Sequence, residues 1–447
     1  MAAEAGIQPP ASKERVRAQS GRIALPSWLI VPGVVATVAA LWAWLAWMNS
    51  HQGGMASTLD LQVYYDGGKA LRSSSHLYTG SYTWVRLPFT YPPFSAMVFA
   101  AASFLKFAHV QILMTTGTVL ALFTTAWLCW GRLGHRVSVG RFGATLLAGA
   151  VALGTEPVQQ TLSFGQVNVW LMVIVVADLC LPDRFRGKGV GVGLAAGFKL
   201  VPAVFIPYLL LTRRWRAAAV ATGTFVLTVV GSFALFPTEA RQYWGGLFFD
   251  SARMGGVEYV GNQSLHGMID RALHGGAAVQ AVWFVVAGTV AVVGLLLAAR
   301  QHRRGNEMLA ILITGVVGLL ASPISWSHHW VWILPALVVG ADWAAHGARR
   351  LLDARWLVPL AALLLFAAWP RYEGAQTGTL PSGIIWWLPY DNHAEFGWHG
   401  PQILQGELYT LVGLAFLAAL AVPAVRALRQ RRRVASLGSP ANGDATV

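Results

Sequence analysis

Long apolar runs alternate along the chain with short basic clusters. Together they predict spans at about 28–48, 109–130, 142–159, 167–182, 217–236, 279–299, 306–321, 329–345, 355–369 and 404–424. Most of these runs approach the roughly 20 residues with which an α-helix crosses the hydrocarbon core. The clusters are Lys13/Arg15/Arg17/Arg22, Arg132/Arg136/Arg141, Arg184/Arg186/Lys188, Arg213/Arg214/Arg216, Arg300/Arg303/Arg304, Arg349/Arg350/Arg355 and Arg426 through Arg433. Treated as cytoplasmic connections, they give an all-α polytopic membrane protein of about ten full spans with both termini inside. The first run, Leu25 to Met48, follows a basic head and shows no small-residue cleavage site, so it reads as a retained anchor. The expected organisation is a disordered head over 1–24, a transmembrane domain over 25–425 and a basic tail over 426–447.

Two apolar stretches do not fit as ordinary spans. Pro92 to Phe107 falls between segments that must both be external, and Gly189 to Leu211 falls between two internal clusters. Both read as helices that dip in or break. In the second, Lys199 sits between two half-length apolar pieces, with Pro202 and Pro207 available to interrupt the helix. Irregular backbone at membrane depth needs protein or water around it, so a cavity is expected at Lys199. The alternative, one kinked span with a snorkelling lysine, would invert every later loop. Gly189, Gly193 and Gly197 recur at a spacing that suits close helix packing.

Composition supports this picture: 55% of the 447 residues are apolar, far above a soluble norm. The net charge of +14 is dispersed in the loop clusters, so it argues for positive-inside topology and against nucleic acid. Cys129 and Cys180 show no ligand spacing and read as packing residues. Polar and aromatic residues gather in three outer loops, about 49–92, 238–278 and 370–403, where function is expected. The run "IIWWLPY", Ile384 to Tyr390, reads as an interfacial belt more readily than as a sugar platform.

The most informative outer segment is "MASTLDLQVYYDGGKALRSSSHLYTG". After Asp60, the residues Gln62, Asp66, Lys69 and Ser73 share one helical face and Val63, Ala70 and Leu71 another, which predicts an amphipathic helix along the outer surface. Asp60 then stands as N-cap, as general base, or as both. An acid near a membrane cavity with a lysine suits group transfer from a lipid phosphate to a hydroxyl. The carboxylate removes the acceptor proton, while Lys199, a histidine, Gln166 or Asn168 balances charge on the leaving phosphate. In a sugar transfer inversion needs one base, whereas retention commonly uses a second carboxylate; here one well-placed acid has a weaker neighbour, Asp66. Gln166 and Asn168 in "SFGQVNVWL" serve equally well to satisfy a helix end. His328 and His329 in "SPISWSHHW" are adjacent, so on a helix they point about 100° apart and only one faces a given site. No i, i+4 His/Glu partner accompanies them, and no metal or other cofactor is expected.

The segments "DLQVYYDGGKAL…LYTG", "YPPFSAMVFA", "FGQVNVWLMVIV", "GLAAGFKLVPAVFIPYLLLTRRW" and "SPISWSHHWVWILPAL" resemble, in order and spacing, the polyprenol-phosphate-mannose-dependent α-(1→2)-mannosyltransferases of actinobacterial envelopes. These form glycosyltransferase family 87 and have the C-type glycosyltransferase fold. The resemblance runs from about Thr58 to Leu337. It implies a lipid-linked β-mannosyl phosphate donor, a glycolipid acceptor such as a phosphatidylinositol mannoside, and inverting transfer at the periplasmic face of the plasma membrane. By the same resemblance Asp60 is the catalytic base, and His328 or His329, Lys199, Gln166 and Asn168 take the remaining family positions. Tyr64, Asp66 and Tyr91, from the same motifs, complete the candidate substrate-binding set. A monomer is expected, with membrane lipids, donor and acceptor as its partners. Transfer of arabinose or glucose from a lipid phosphate is the nearer alternative, and a transporter with broken helices the more distant one.

Overall fold

The structure is a computed structural model that describes residues 24–50, 58–73, 76–347, 353–372, 379–390 and 392–437. The expected head, apart from its last residue, and the end of the expected tail lie outside the described residues, as does part of the third outer loop. The chain is mostly helical. Its elements begin with α1 (Ile30–Ser50), α2 (Leu59–Arg72), α3 (Pro93–Ala102), α4 (Phe107–Arg132) and α5 (Val139–Leu153). There follow α6 (Glu156–Phe164), α7 (Asn168–Cys180), α8 (Val190–Phe198), α9 (Phe205–Leu211), α10 (Trp215–Leu235) and α11 (Pro237–Gly245). The second half has α12 (Leu265–Leu273), α13 (Val279–Arg303), α14 (Glu307–Ala321), α15 (Ile333–Gly347) and α16 (Leu357–Phe366). A hairpin of β1 (Trp369–Tyr372) and β2 (Thr379–Ser382) leads to α17 (Pro401–Gly406) and α18 (Leu408–Leu437). The strands pair antiparallel, Trp369 opposite Ser382 and Tyr372 opposite Thr379. Helix α18 continues to Leu437, so the first half of the expected tail is helical.

Four helical segments among the described residues are long and apolar enough to cross a membrane: Ser27–Met48, Phe107–Arg132, Trp215–Leu235 and Val279–Arg303. A fifth is obtained if α6 and α7, bent by 114°, count as one span. The other apolar helical stretches among the described residues, including Leu408–Val422 of α18, run only 10–17 residues, so the expected ten full spans are not met by single helices. The clearest departure is the segment expected to cross at 142–159. Helix α5 ends at Leu153, Pro157 opens the next helix at Glu156, and Gly165 closes it with φ +68. A left-handed residue stops a helix, and glycine adopts that conformation without Cβ strain. A Cβ at Gly165 would also lie 2.6 Å from that of Leu61, so this break abuts the start of α2.

The stretch expected to break at Lys199 is also interrupted in the structure. Helix α8 stops at Phe198, Lys199 is extended, and a 3-10 turn over Val201–Val204 leads into α9. Helix α8 packs on α10 through the predicted glycines. Cβ atoms at Gly189, Gly193 and Gly197 would fall 2.2 Å from Ala217 O, 2.5 Å from Ala221 O and 2.3 Å from Thr228 Oγ1. Small residues there let the two backbones touch, which brings the break at Lys199 towards the breaks around Gly165 and His328.

Candidate active site

Helix α2 turns Leu61, Val63, Tyr64, Tyr65 and Leu71 inward, with Gly67 and Gly68 seated against Phe89 and the backbone of Phe99. The amphipathic reading of this segment therefore describes how the helix packs. The expected capping by Asp60 is corrected: the N-cap is Thr58, which accepts from Gln111 Nε2 at 2.7 Å, and no side chain caps the helix. Asp60 occupies the first turn, and its Oδ2 accepts from Gln166 Nε2 at 2.6 Å. The helix starts two residues too early for Asp60 to cap it, which leaves the carboxylate directed at another element.

From Gln166 a polar chain leads across the site. Gln166 Oε1 accepts from the Tyr64 hydroxyl at 2.8 Å, and that hydroxyl is 2.7 Å from the hydroxyl of Tyr91. Lys199 Nζ stands 5.4 Å from the Tyr91 ring centroid. It donates to Asn168 Oδ1 at 3.0 Å and faces His329 Nε2 at 2.8 Å. An ammonium has only donors, so this contact assigns His329 Nε2 as acceptor and its proton to Nδ1. Lys199 is only partly exposed, and both of its hydrogen-bond partners are neutral acceptors of the protein interior. The Asn168 amide and the Thr161 hydroxyl both donate to the backbone carbonyl of His328, at 2.9 and 3.0 Å.

His328 and His329 sit on a 3-10 turn, Ser327–Trp332, with ring centroids 4.9 Å apart and planes at 83°. Both are buried in the same cluster. His328 Nε2 is buried without a hydrogen-bond partner among the described residues. A cavity of about 50 Å³ opens below Lys199, Asn168 and His329, with an apolar wall that includes Leu171, Met172, Val175, Phe205 and Trp332.

Asp66 is not brought to this cluster. It accepts from Gln62 at 2.7 Å and pairs with Lys69 at 3.6 Å, on the polar face of α2. Sequence reasoning also missed Glu156. Its fully buried carboxylate accepts from Ser327 Oγ and Trp386 Nε1, both at 2.7 Å, and from the Tyr409 hydroxyl at 2.9 Å. A lone acid between apolar runs was the available signal, because such groups are costly unless paired. Trp386 is thus not free as an interfacial anchor: its N–H is committed to Glu156, beside the histidine turn.

Burial pushes the Asp60 carboxyl from its ordinary 3.8 up to about 6, against the lowering effects of the Gln166 hydrogen bond and the Lys199 charge. The pH consequence follows from the sign. A general base acts only as carboxylate, so kcat/KM is expected to fall about tenfold per pH unit below pH 6 and to level off above it. A rate profile flat down to the ordinary carboxylate range would remove Asp60 from the base role.

Apolar helices interrupted around a carboxylate, an ammonium and two imidazoles define a membrane-embedded enzyme. Residues 89–323 match the model of glycosyltransferase family 87. A Mycolicibacterium smegmatis protein named polyprenol-phosphate-mannose-dependent alpha-(1-2)-phosphatidylinositol pentamannoside mannosyltransferase is 34% identical over 395 residues, 85% of this chain and 90% of its own. A Mycobacterium tuberculosis protein of the same name is 34% identical over 355 residues, 78% and 80% of the two chains. Another from that species, a polyprenol-phosphate-mannose-dependent alpha-(1-2)-phosphatidylinositol mannoside mannosyltransferase, is 31% identical over 299 residues, 63% and 69%. The chain belongs to glycosyltransferase family 87.

Proposed function

We propose that this glycosyltransferase moves mannose from polyprenyl-phosphate-mannose to a phosphatidylinositol mannoside, with inversion, to form an α-(1→2) linkage. The observation that carries the reading is the site itself. One carboxylate, held by Gln166, stands in a cluster with a lysine ammonium whose two hydrogen-bond partners are neutral, above an apolar cavity. An isoprenyl phosphate has the matching form, with an anionic head on an apolar chain. The names of the relatives supply the sugar and the acceptor class.

In the proposed step, the Asp60 carboxylate takes the proton of the acceptor 2-hydroxyl. The oxygen attacks the anomeric carbon from the face opposite the phosphate. The carbon–oxygen bond to phosphate breaks, and its electron pair leaves with polyprenyl phosphate, converting a β-linked donor into an α-linked product. Lys199 balances the charge that develops on the departing phosphate, and the unpartnered His328 Nε2 is available to the same group. Protein amine and imidazole do here what a metal would otherwise do, so the reaction is expected to be independent of a divalent cation. The reading also carries the C-type fold of about ten spans as a monomer, cytoplasmic termini and a periplasmic site.

The test is transfer of labelled mannose by the purified protein from polyprenyl-phosphate-mannose to phosphatidylinositol mannosides, with and without EDTA. Formation of the α-(1→2) product in both conditions is expected. Loss on chelation with recovery on adding Mg²⁺ or Mn²⁺ would replace the metal-free mechanism, and failure to use this donor would replace the donor.

A further inference from the structure

Outside the cluster at Asp60, three loops bring four aromatic side chains together. Tyr259 lies 6.0 Å from Trp326, 5.8 Å from Trp386 and 5.8 Å from Tyr390, centroid to centroid, and Trp386 lies 5.6 Å from Tyr390. Every pair meets edge-on, none is stacked face to face, and all four residues keep part of their surface exposed. We propose that this aromatic wall is the subsite for the mannosyl residues of the glycolipid acceptor that lie beyond the one receiving the new sugar. The proposal rests on the mannosyl-transfer reading above and adds where acceptor length is recognised.

The wall has a fixed relation to the histidine turn. Trp326 precedes Ser327 and His328 in the chain, and the Trp386 indole and the Ser327 hydroxyl donate to the same oxygen of Glu156. The backbone behind the rings is braced. Asn262 bridges Trp326, and its Oδ1 accepts from Ser325 N at 2.9 Å. Arg271, paired with buried Glu407, also donates to the carbonyls of Glu258 and Tyr259 at 3.0 and 3.2 Å. A platform held this way loses little entropy when it is used.

Its chemistry fits a sugar better than an acyl chain. Hexose rings present C–H faces that pack on aromatic faces and hydroxyls that need polar partners at the edge. Next to Tyr259, the Glu258 carboxylate meets the exposed His393 at 2.7 Å, which gives the wall a charged rim.

The experiment compares the parent with Trp326→Leu and Trp326→Phe on a phosphatidylinositol monomannoside and a phosphatidylinositol pentamannoside. Trp326→Leu is expected to raise KM for the pentamannoside about tenfold, and for the monomannoside less, without a matching fall in kcat. The Phe variant, which keeps a ring, should recover most of the loss. An equal KM change for both acceptors, or a fall in kcat alone, would overturn the subsite. A parent that transfers mannose to neither acceptor would instead overturn the mannosyl reading. Quenching of intrinsic tryptophan fluorescence by α-(1→2)-mannobiose then judges the subsite separately: saturable quenching in the parent that is lost in Trp326→Leu supports it, and absence of quenching in the parent excludes it.

Discussion

Replacing Asp60 by Asn is expected to lower mannosyl transfer by a factor of about 10² to 10⁴ while the protein folds normally and still binds donor. The substitution separates chemistry from architecture. Asparagine keeps the volume and an oxygen to accept from Gln166 Nε2, so the 2.6 Å contact that joins α2 to the break before α7 has a replacement. It removes the capacity to take up a proton and, with it, the negative charge that faces Lys199. A structural role would show as a change of about 1 kcal/mol in stability with near-normal transfer, because Asp60 does not cap its helix and its partner remains satisfied. The measurements are initial rates at saturating donor together with thermal unfolding. Transfer equal to the parent would return Asp60 to a scaffold role and leave His328, with its unpartnered ring nitrogen, as the remaining proton acceptor at the site.

Replacing Lys199 by Ala is expected to lower kcat/KM by about 10² to 10³, the scale for losing one preorganised donor or charge opposite a leaving oxyanion. This variant also leaves Asn168 Oδ1 and His329 Nε2 without their donor, a stability cost of about 1–3 kcal/mol for each buried group. Lys199→Gln addresses that confound: its amide donates in place of the ammonium but carries no charge. If charge on the leaving phosphate is the role, Gln and Ala should be comparably slow. Recovery with Gln would make Lys199 a hydrogen-bonding post for Asn168 and His329 instead. Donor titration distinguishes weakened ground-state binding from a slower transfer step.

How far each part of this arrangement was readable follows from the range of the interactions. Apolar runs, basic clusters and the short spacing of Gly189, Gly193 and Gly197 are local patterns, and they sufficed for a helical membrane protein, an interrupted helix at Lys199 and close packing of α8. The motifs also named most of the residues that form the cluster: Asp60, Tyr64, Tyr91, Gln166, Asn168, Lys199, His328 and His329. Asp66 lies apart from the cluster because six residues, about one and two-thirds turns of helix, separate it from Asp60 and turn it towards Gln62 and Lys69. Sequence periodicity places residues on a face, but it does not say which face meets a distant element.

By itself, then, the sequence determined the membrane class, the family and most of the residues that gather in the cluster, since hydropathy, charge and motif are properties of neighbouring residues. Only the tertiary structure decided their partners. Gln166 stands 106 positions from the Asp60 it holds, His329 stands 130 from Lys199, and Trp386 stands 230 from Glu156. Pairings at such separations depend on where helices stop and turn. A start at Leu59, a left-handed Gly165 and a proline at the head of α6 choose among directions that the linear pattern leaves equal. Burial then does the rest, because a polar group withdrawn from water is stable only where the fold supplies its hydrogen-bond partner.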